Sequence, residues 1–380
     1  MKSPILLLIG LFWSFSLIAQ KADSLETVLK SAKGDQKVKT LNELFKAYIN
    51  TDPVKATEYT RDALSLALEI TDEKGMAASY NNLGVAYKNQ GALDKALENY
   101  LFALQIYQKI DNKEGIASCK NNMGNIYSIK RDQENATKYL EESNKLFQEL
   151  NDEKKIIGTL NNLGNLHNEL QVFDKAIQYY EEANQRSEKI NLINADPLIN
   201  MGNVHLKQGS YSKALDYFKK ALPIAEKENN QLSILSITTS MGDASLKAGQ
   251  TSEAYKYLTK ALSLCQDLQA YVYEPTIYRS LSMTYAMQNE MKKAYEAMIK
   301  YDQAREKVYS EESTRKIAQM EMAMNIQEKE KEIETLKKDD ELKTMELRQT
   351  QMIVALSFLA IITVIMVFSL VTQRKKLRDA

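Results

Sequence analysis

The sequence predicts an all-α fold built as a solenoid of stacked helical hairpins, and three observations predict it. A short motif recurs with centres at Leu44, Gly84, Gly124, Gly164, Gly202, Gly242 and Ser282, at spacings of 40, 40, 40, 38, 40 and 40 residues. An alanine stands twelve residues after every centre, at Ala56, Ala96, Ala136, Ala176, Ala214, Ala254 and Ala294. Only 13 glycines and 5 prolines occur in 380 residues, beside abundant Ala, Leu, Lys, Glu and Gln, a composition that favours helix almost throughout. A period of this length marks a repeat array. One hairpin cannot bury its own apolar face, so it stacks on the next.

The elements are taken in chain order. Met1-Lys2 precedes an apolar stretch from Ile5 to Ile18 that ends in Leu17-Ile18-Ala19-Gln20. Residues 1–19 therefore read as a secretory signal peptide cleaved after Ala19; an uncleaved signal anchor is the other reading, and either one exports the array behind it. The array occupies residues 23–310 as seven copies of about 40 residues. Asn81-Asn82-Leu83-Gly84-Val85-Ala86-Tyr87 returns as Asn121-Asn122-Met123-Gly124-Asn125-Ile126-Tyr127 and as Asn161-Asn162-Leu163-Gly164-Asn165-Leu166-His167. Small residues at each centre and at the start of the second helix let two antiparallel helices approach closely. Large groups fifteen or sixteen residues on, such as Tyr100, Tyr180, Phe218 and Leu258, are expected to fill the space between hairpins. Gly91, Gly209 and Gly249, seven after their centres, mark turns.

Residues 304–350 are rich in Glu, Lys and Gln, with sparse apolar points at Ile317, Met320, Met324, Ile333, Leu336, Leu342 and Met345. This predicts a long charged helix, either a weak parallel dimeric coiled coil with a stutter or a solitary solvated helix. Met352 to Val371 is a run of twenty residues without a charge. A helix of that length spans about 30 Å, the hydrocarbon thickness of a bilayer. Arg374, Lys375, Lys376 and Arg378 come directly after it, so residues 372–380 are expected to be a short cytoplasmic tail and the array to be periplasmic, on a single-pass inner-membrane protein.

The order Leu-Gly, an aromatic three residues on, Gly seven on and Ala twelve on resembles the tetratricopeptide repeat over roughly residues 23–310. The family unit has 34 residues, so each copy here holds about six more. They are expected at the hairpin-to-hairpin junction, as in 110–115. HEAT-like repeats have a similar length but lack this Gly/Ala spacing. The resemblance implies a concave groove, lined by the first helix of each hairpin, that holds a peptide or a partner helix. It further implies, from asparagine-ladder arrays, that Asn82, Asn122, Asn162 and Asn200 contact a peptide backbone, with Asn125, Asn165 and Asn203 one helical turn on. An amide carries both donor and acceptor, which suits main-chain reading. The same side chains could instead cross-link neighbouring helices. The equivalents in the last two copies are Ser240 and Ser280, so the ladder is expected over copies two to five.

Several functions are poorly supported. Lys plus Arg and Asp plus Glu each number 50, so no basic face is implied for nucleic acid. His167 and His205, the only histidines, occupy the position of Tyr87 and Tyr127 and read as inter-helix aromatics rather than metal ligands. Cys119 and Cys265 fall in different copies and read as free, buried thiols. Nothing indicates a cofactor, a metal site or a catalytic constellation. Signal segment, array, charged helix, span and basic end together resemble the sensory half of bacterial repeat-containing sensor histidine kinases, without the kinase. The expected function is sensing of a periplasmic protein or peptide, either as a truncated or split sensor histidine kinase or by relay to a separate cytoplasmic kinase or regulator. The alternative is a membrane-tethered scaffold.

Overall fold

A computed structural model gives the structure for residues 22–311, 338, 343–353, 356–359, 362–363 and 366. The signal segment 1–19, the tail 372–380, most of 312–350 and much of 352–371 lie outside the described residues. Residues 1–316 and 317–380 form two compact units.

Among the described residues the first unit is all-helical, with short turns between its helices. Helix α1 (22–31) precedes α2 (Gly34–Tyr48) and α3 (Pro53–Glu69), α4 (Glu73–Asn89) and α5 (Leu93–Lys109), α6 (Lys113–Ile129) and α7 (Gln133–Glu149), and α8 (Glu153–Glu169) and α9 (Phe173–Lys189). The series continues with α10 (Asp196–Lys207) and α11 (Tyr211–Lys227), α12 (Gln231–Lys247) and α13 (Thr251–Asp267), and α14 (Glu274–Met287) and α15 (291–311). Each motif copy is thus one hairpin, and each hairpin packs on the next.

The 40-residue period comes from helix length, not from the junction. Helices α4 to α9 have 17 residues each, and the turns within hairpins (90–92, 130–132) and between them (110–112, 150–152) are equally short. The six residues beyond the usual unit extend the helices, which corrects the expectation of an enlarged junction. Both kinds of turn use one left-handed residue directly after the helix C-cap. It is Gly91, Gly209 or Gly249 in three of them, but Arg131, Gln171 and Thr71, Asp111, Asn151 elsewhere. The following helix is often closed by a side-chain cap: Asp72, Asn112, Asp152 and Asn230 each accept a hydrogen bond from the backbone N–H three residues on.

The glycine at the centre of a first helix makes room for the large group sixteen residues later in the same hairpin. A Cβ on Gly164 would lie 2.7 Å from Cδ1 of Tyr180 and closer still to Cε1. Gly84 meets Tyr100, Gly202 meets Phe218 and Gly242 meets Leu258 in the same way. Tyr100, Tyr180 and Phe218 are completely buried. These rings lie over their own repeat's glycine and also belong to the core shared with the next hairpin, Tyr180 with Ala195 and Leu198 and Phe218 with Ile234 and Ile237.

Neighbouring first helices also touch one another, α2 with α4, α4 with α6, α6 with α8 and onward to α14. They share one side of the array. The fifth copy departs from the pattern: α10 has only 12 residues, with Pro197 in its first turn and a non-helical lead-in at 192–195. This is the local cause of the 38-residue spacing. At the N-terminal end, Glu26 of α1 accepts hydrogen bonds from Lys55 Nζ (2.6 Å), Tyr48 Oη (2.6 Å) and Tyr59 Oη (3.0 Å). The Lys55 ammonium and then the Tyr48 hydroxyl hold its carboxyl down at about 2.

In the second unit the described residues are helical. Ile353, Leu356, Phe358, Leu359 and Met366 are all exposed. Among the described residues no helix is long and apolar enough to cross a membrane. The apolar points of the expected coiled coil lie outside the described residues, except Met345, which is exposed.

Candidate functional site: a polar groove across four repeats

First helices α2, α4, α6 and α8 wall a groove of about 810 Å³. Asn82, Asn122 and Asn162 line it, and so do Asn42, Asn81 and Asn121. Asn125, Asn165, Asn200 and Asn203 are not among its lining residues, and the groove begins one copy earlier than expected.

The asparagines work in pairs across repeats. Asn82 Nδ2 donates to Asn42 Oδ1 (2.8 Å), Asn122 Nδ2 to Asn81 Oδ1 (3.1 Å) and Asn162 Nδ2 to Asn121 Oδ1 (2.9 Å). The first rung is closed, because the Asn42 amide also donates to Ser79 Oγ and its Oδ1 also accepts from Thr60 and Ser79. The second and third rungs are half open. Among the described residues, Oδ1 of Asn122 and Asn162 and Nδ2 of Asn81 and Asn121 have no protein partner. Cross-linking and presentation are therefore compatible: the second and third rungs each tie two first helices together and still offer one acceptor and one donor.

The ladder stops at α8. Asn161 Oδ1, where Asn200 would donate by analogy, is buried without a partner. The shortened α10 interrupts the register there. Asn165 acts inside its own hairpin instead, where its Oδ1 accepts the Tyr180 hydroxyl proton at 2.6 Å. In the second copy the matching position is Val85, and the Tyr100 hydroxyl is buried with no partner. Tyr180→Phe is accordingly expected to cost about 1 kcal/mol, whereas Tyr100→Phe costs nothing or stabilises. Thermal denaturation of the two variants checks this; equal losses would contradict it.

His167 and His205 stack on Tyr179 and Tyr217, with ring centroids 5.4 and 5.3 Å apart, as Tyr127 stacks on Tyr139 at 5.4 Å. They serve as inter-helix aromatics, although each Nδ1 is buried without a hydrogen bond. Burial, and then Lys175 and Lys213 respectively, lowers their pKa values. Cys119 and Cys265 are free and buried. Burial pushes the Cys119 thiol up to about 12 and the Cys265 thiol up to about 11, away from reactivity.

The partners Asn81 and Asn121 were legible in principle, and Asn42 is the first copy's equivalent of Asn82. Two adjacent amides on a helix differ by about 100° in direction, so an Asn-Asn dipeptide repeated every 40 residues can address both the preceding and the following repeat.

The tetratricopeptide-repeat pattern matches residues 75–149 and 155–227, which lie within α4 to α11. These residues are tetratricopeptide repeats. Against curated proteins the chain finds no match. Among solved structures, the apo form of RapI is 19% identical, with a TM-score of 0.55 over 72% of this chain and 99% of RapI. Aspartyl phosphate phosphatase F from Bacillus subtilis is 15% identical, with a TM-score of 0.54 over 74% of each chain. The Rap conjugation gene regulator of plasmid pLS20, in complex with the Phr* peptide, is 15% identical, with a TM-score of 0.50 over 72% of this chain and 74% of that one. At these identities the likeness is one of fold. The tetratricopeptide array is thereby established by sequence pattern and architecture together.

Proposed function

We propose that the tetratricopeptide array is a peptide-binding input module of a signalling protein. The observation that carries this is the groove across α2, α4, α6 and α8, with its two half-open asparagine rungs. An extended backbone repeats one donor and one acceptor per residue, and each open rung offers the complement. The volume suits a short segment rather than a folded domain. That a fold relative is solved with the Phr* peptide supports the same reading. The test is peptide capture by the full chain in which whole rungs are removed, Asn81→Ala/Asn122→Ala and Asn121→Ala/Asn162→Ala. Deleting both partners leaves no orphaned amide, so stability changes little while capture falls at least tenfold. Undiminished capture would sink the proposal.

We further propose that residues 352–371 anchor the array to the inner membrane, with the array on the periplasmic side and a separate cytoplasmic regulator as the output partner. The uncharged run and the basic residues after it support this. So does the exposure of Ile353, Leu356, Phe358 and Leu359, side chains that lipid would cover. The full chain should stay in the membrane fraction after alkaline extraction and leave it when 352–380 is deleted. Release of the full chain by alkali would contradict the anchor.

A further inference from the structure

Helix α15 carries two seams, and the array uses one of them. Ala294, Ala297 and Ala304 are buried, and Tyr301 packs with Ala297 and Ala304 in the core built with α13 and α14. Beside this row runs a second one: Met291, Tyr295, Met298, Asp302, Arg305 and Tyr309, at spacings of 4, 3, 4, 3 and 4 residues. All six side chains are exposed. Met298 stands at the position of Tyr100, Leu140, Tyr180, Phe218 and Leu258, each at most 1% exposed, yet Met298 itself is 43% exposed. Alternating steps of three and four are what a seam between two paired helices requires.

Charge selects both the occupant and its direction. A second copy of α15 running parallel would set Asp302 against Asp302 and Arg305 against Arg305, which is unfavourable. An antiparallel copy, related by a two-fold axis near residues 299 and 300, sets Met291 against Tyr309, Tyr295 against Arg305 and Met298 against Asp302. The first is a thioether on a ring and the second a guanidinium on a ring, both attractive. On the exposed flank of the seam, Lys292 of each copy then meets Glu306 of the other, and Ile299 meets Ile299. Every pair occurs twice, as a self-complementary two-fold contact demands.

Within one chain these charges are not used up. Asp302 and Arg305 face each other only across one turn, at 3.6 Å, with both side chains open to solvent. Lys292 and Glu306 lie about 21 Å apart along the helix, and among the described residues neither has an ion-pair partner. The other charges of α15 lie off the seam. Lys293 pairs with Glu290, Lys300 and Lys307 sit over the Tyr278 and Tyr271 rings, and Glu296 and Glu311 fall outside the heptad contact positions.

We infer that α15 pairs antiparallel with α15 of a second copy of this chain. The contact is independent of the groove, and it runs opposite to the parallel coiled coil expected over 304–350.

The test uses two full-length variants in detergent, Met291→Cys and Tyr309→Cys, oxidised separately and as a mixture. Cys119 and Cys265 are buried and stay out of the reaction. The mixture is expected to give at least tenfold more disulfide-linked dimer than either variant alone. Adding Lys292→Glu to the Met291→Cys chain places two carboxylates opposite each other and should lower that yield at least fivefold. Adding Glu306→Lys to the Tyr309→Cys chain should then restore it. All four positions are exposed, so thermal midpoints should not move. Self-linking of either variant as efficient as the mixture would mean parallel pairing and overturns the inference. So does a mixture that yields no linked dimer, or a yield indifferent to the charge changes.

Discussion

Gly164→Ala should destabilise the chain by about 1–3 kcal/mol, even though alanine is the better helix former by roughly 1 kcal/mol. The added methyl would sit inside contact distance of Tyr180, whose ring is completely buried between α8 and α9 and hydrogen-bonded through its hydroxyl to Asn165. The ring cannot retreat without losing that bond. Tyr180→Ala alone should cost about 3–5 kcal/mol through the cavity it leaves. The informative result is the double variant. Once the ring is gone the alanine at 164 meets no clash, so its effect should change sign and become mildly stabilising. A denaturation cycle over the four proteins reads this coupling. A Gly164→Ala penalty that persists without Tyr180 would show that the glycine is needed for something other than the ring.

That coupling is a case of what a sequence read alone can and cannot display. The seven centres, the alanines twelve residues on and the helical hairpins were legible because close helix approach demands small residues at fixed spacing. Which partner the large residue meets was not. Tyr180 sixteen residues after Gly164 satisfies the spacing whether it packs inside its hairpin or against the next, and in the folded array it does both, over Gly164 and in the core shared with Ala195 and Leu198. The six added residues were misplaced for a similar reason. Ile110-Asp111-Asn112 has the polar character of an open loop, yet Ile110 is a C-cap, Asp111 the left-handed residue after it and Asn112 an N-cap, so the same letters close a tight turn. For the groove, the repeated Asn82, Asn122 and Asn162 were visible. Their pairing with Asn42, Asn81 and Asn121, and the interruption at the short α10, depend on the register between helices.

Because that register repeats, excising one whole period should be tolerated. Deleting 113–152 removes α6, α7 and their turns and joins Asn112 to Glu153. Asp111 then supplies the left-handed residue, Asn112 caps α8 in place of Asp152, and Asn162 meets Asn81 where Asn122 had been. In a quasi-one-dimensional array each repeat contacts only its neighbours, so the loss is one repeat and one interface, and a cooperative transition should survive at a lower midpoint. Deleting half a period, 113–132, is expected to act very differently. It removes α6 alone and places α7 after α5. Helix α7 would then stand where a first helix belongs, with neither a central glycine nor an asparagine rung, and α8 would come next in the place of a second helix. Every later hairpin would be out of phase with the first two. Circular dichroism and thermal unfolding of the two deletions should separate them clearly, the longer deletion folded and the shorter one without a cooperative transition. If the shorter deletion folded as well as the longer, stacking would be governed by general helix amphipathicity, and the glycine, ring and asparagine register described above would not be what orders the array.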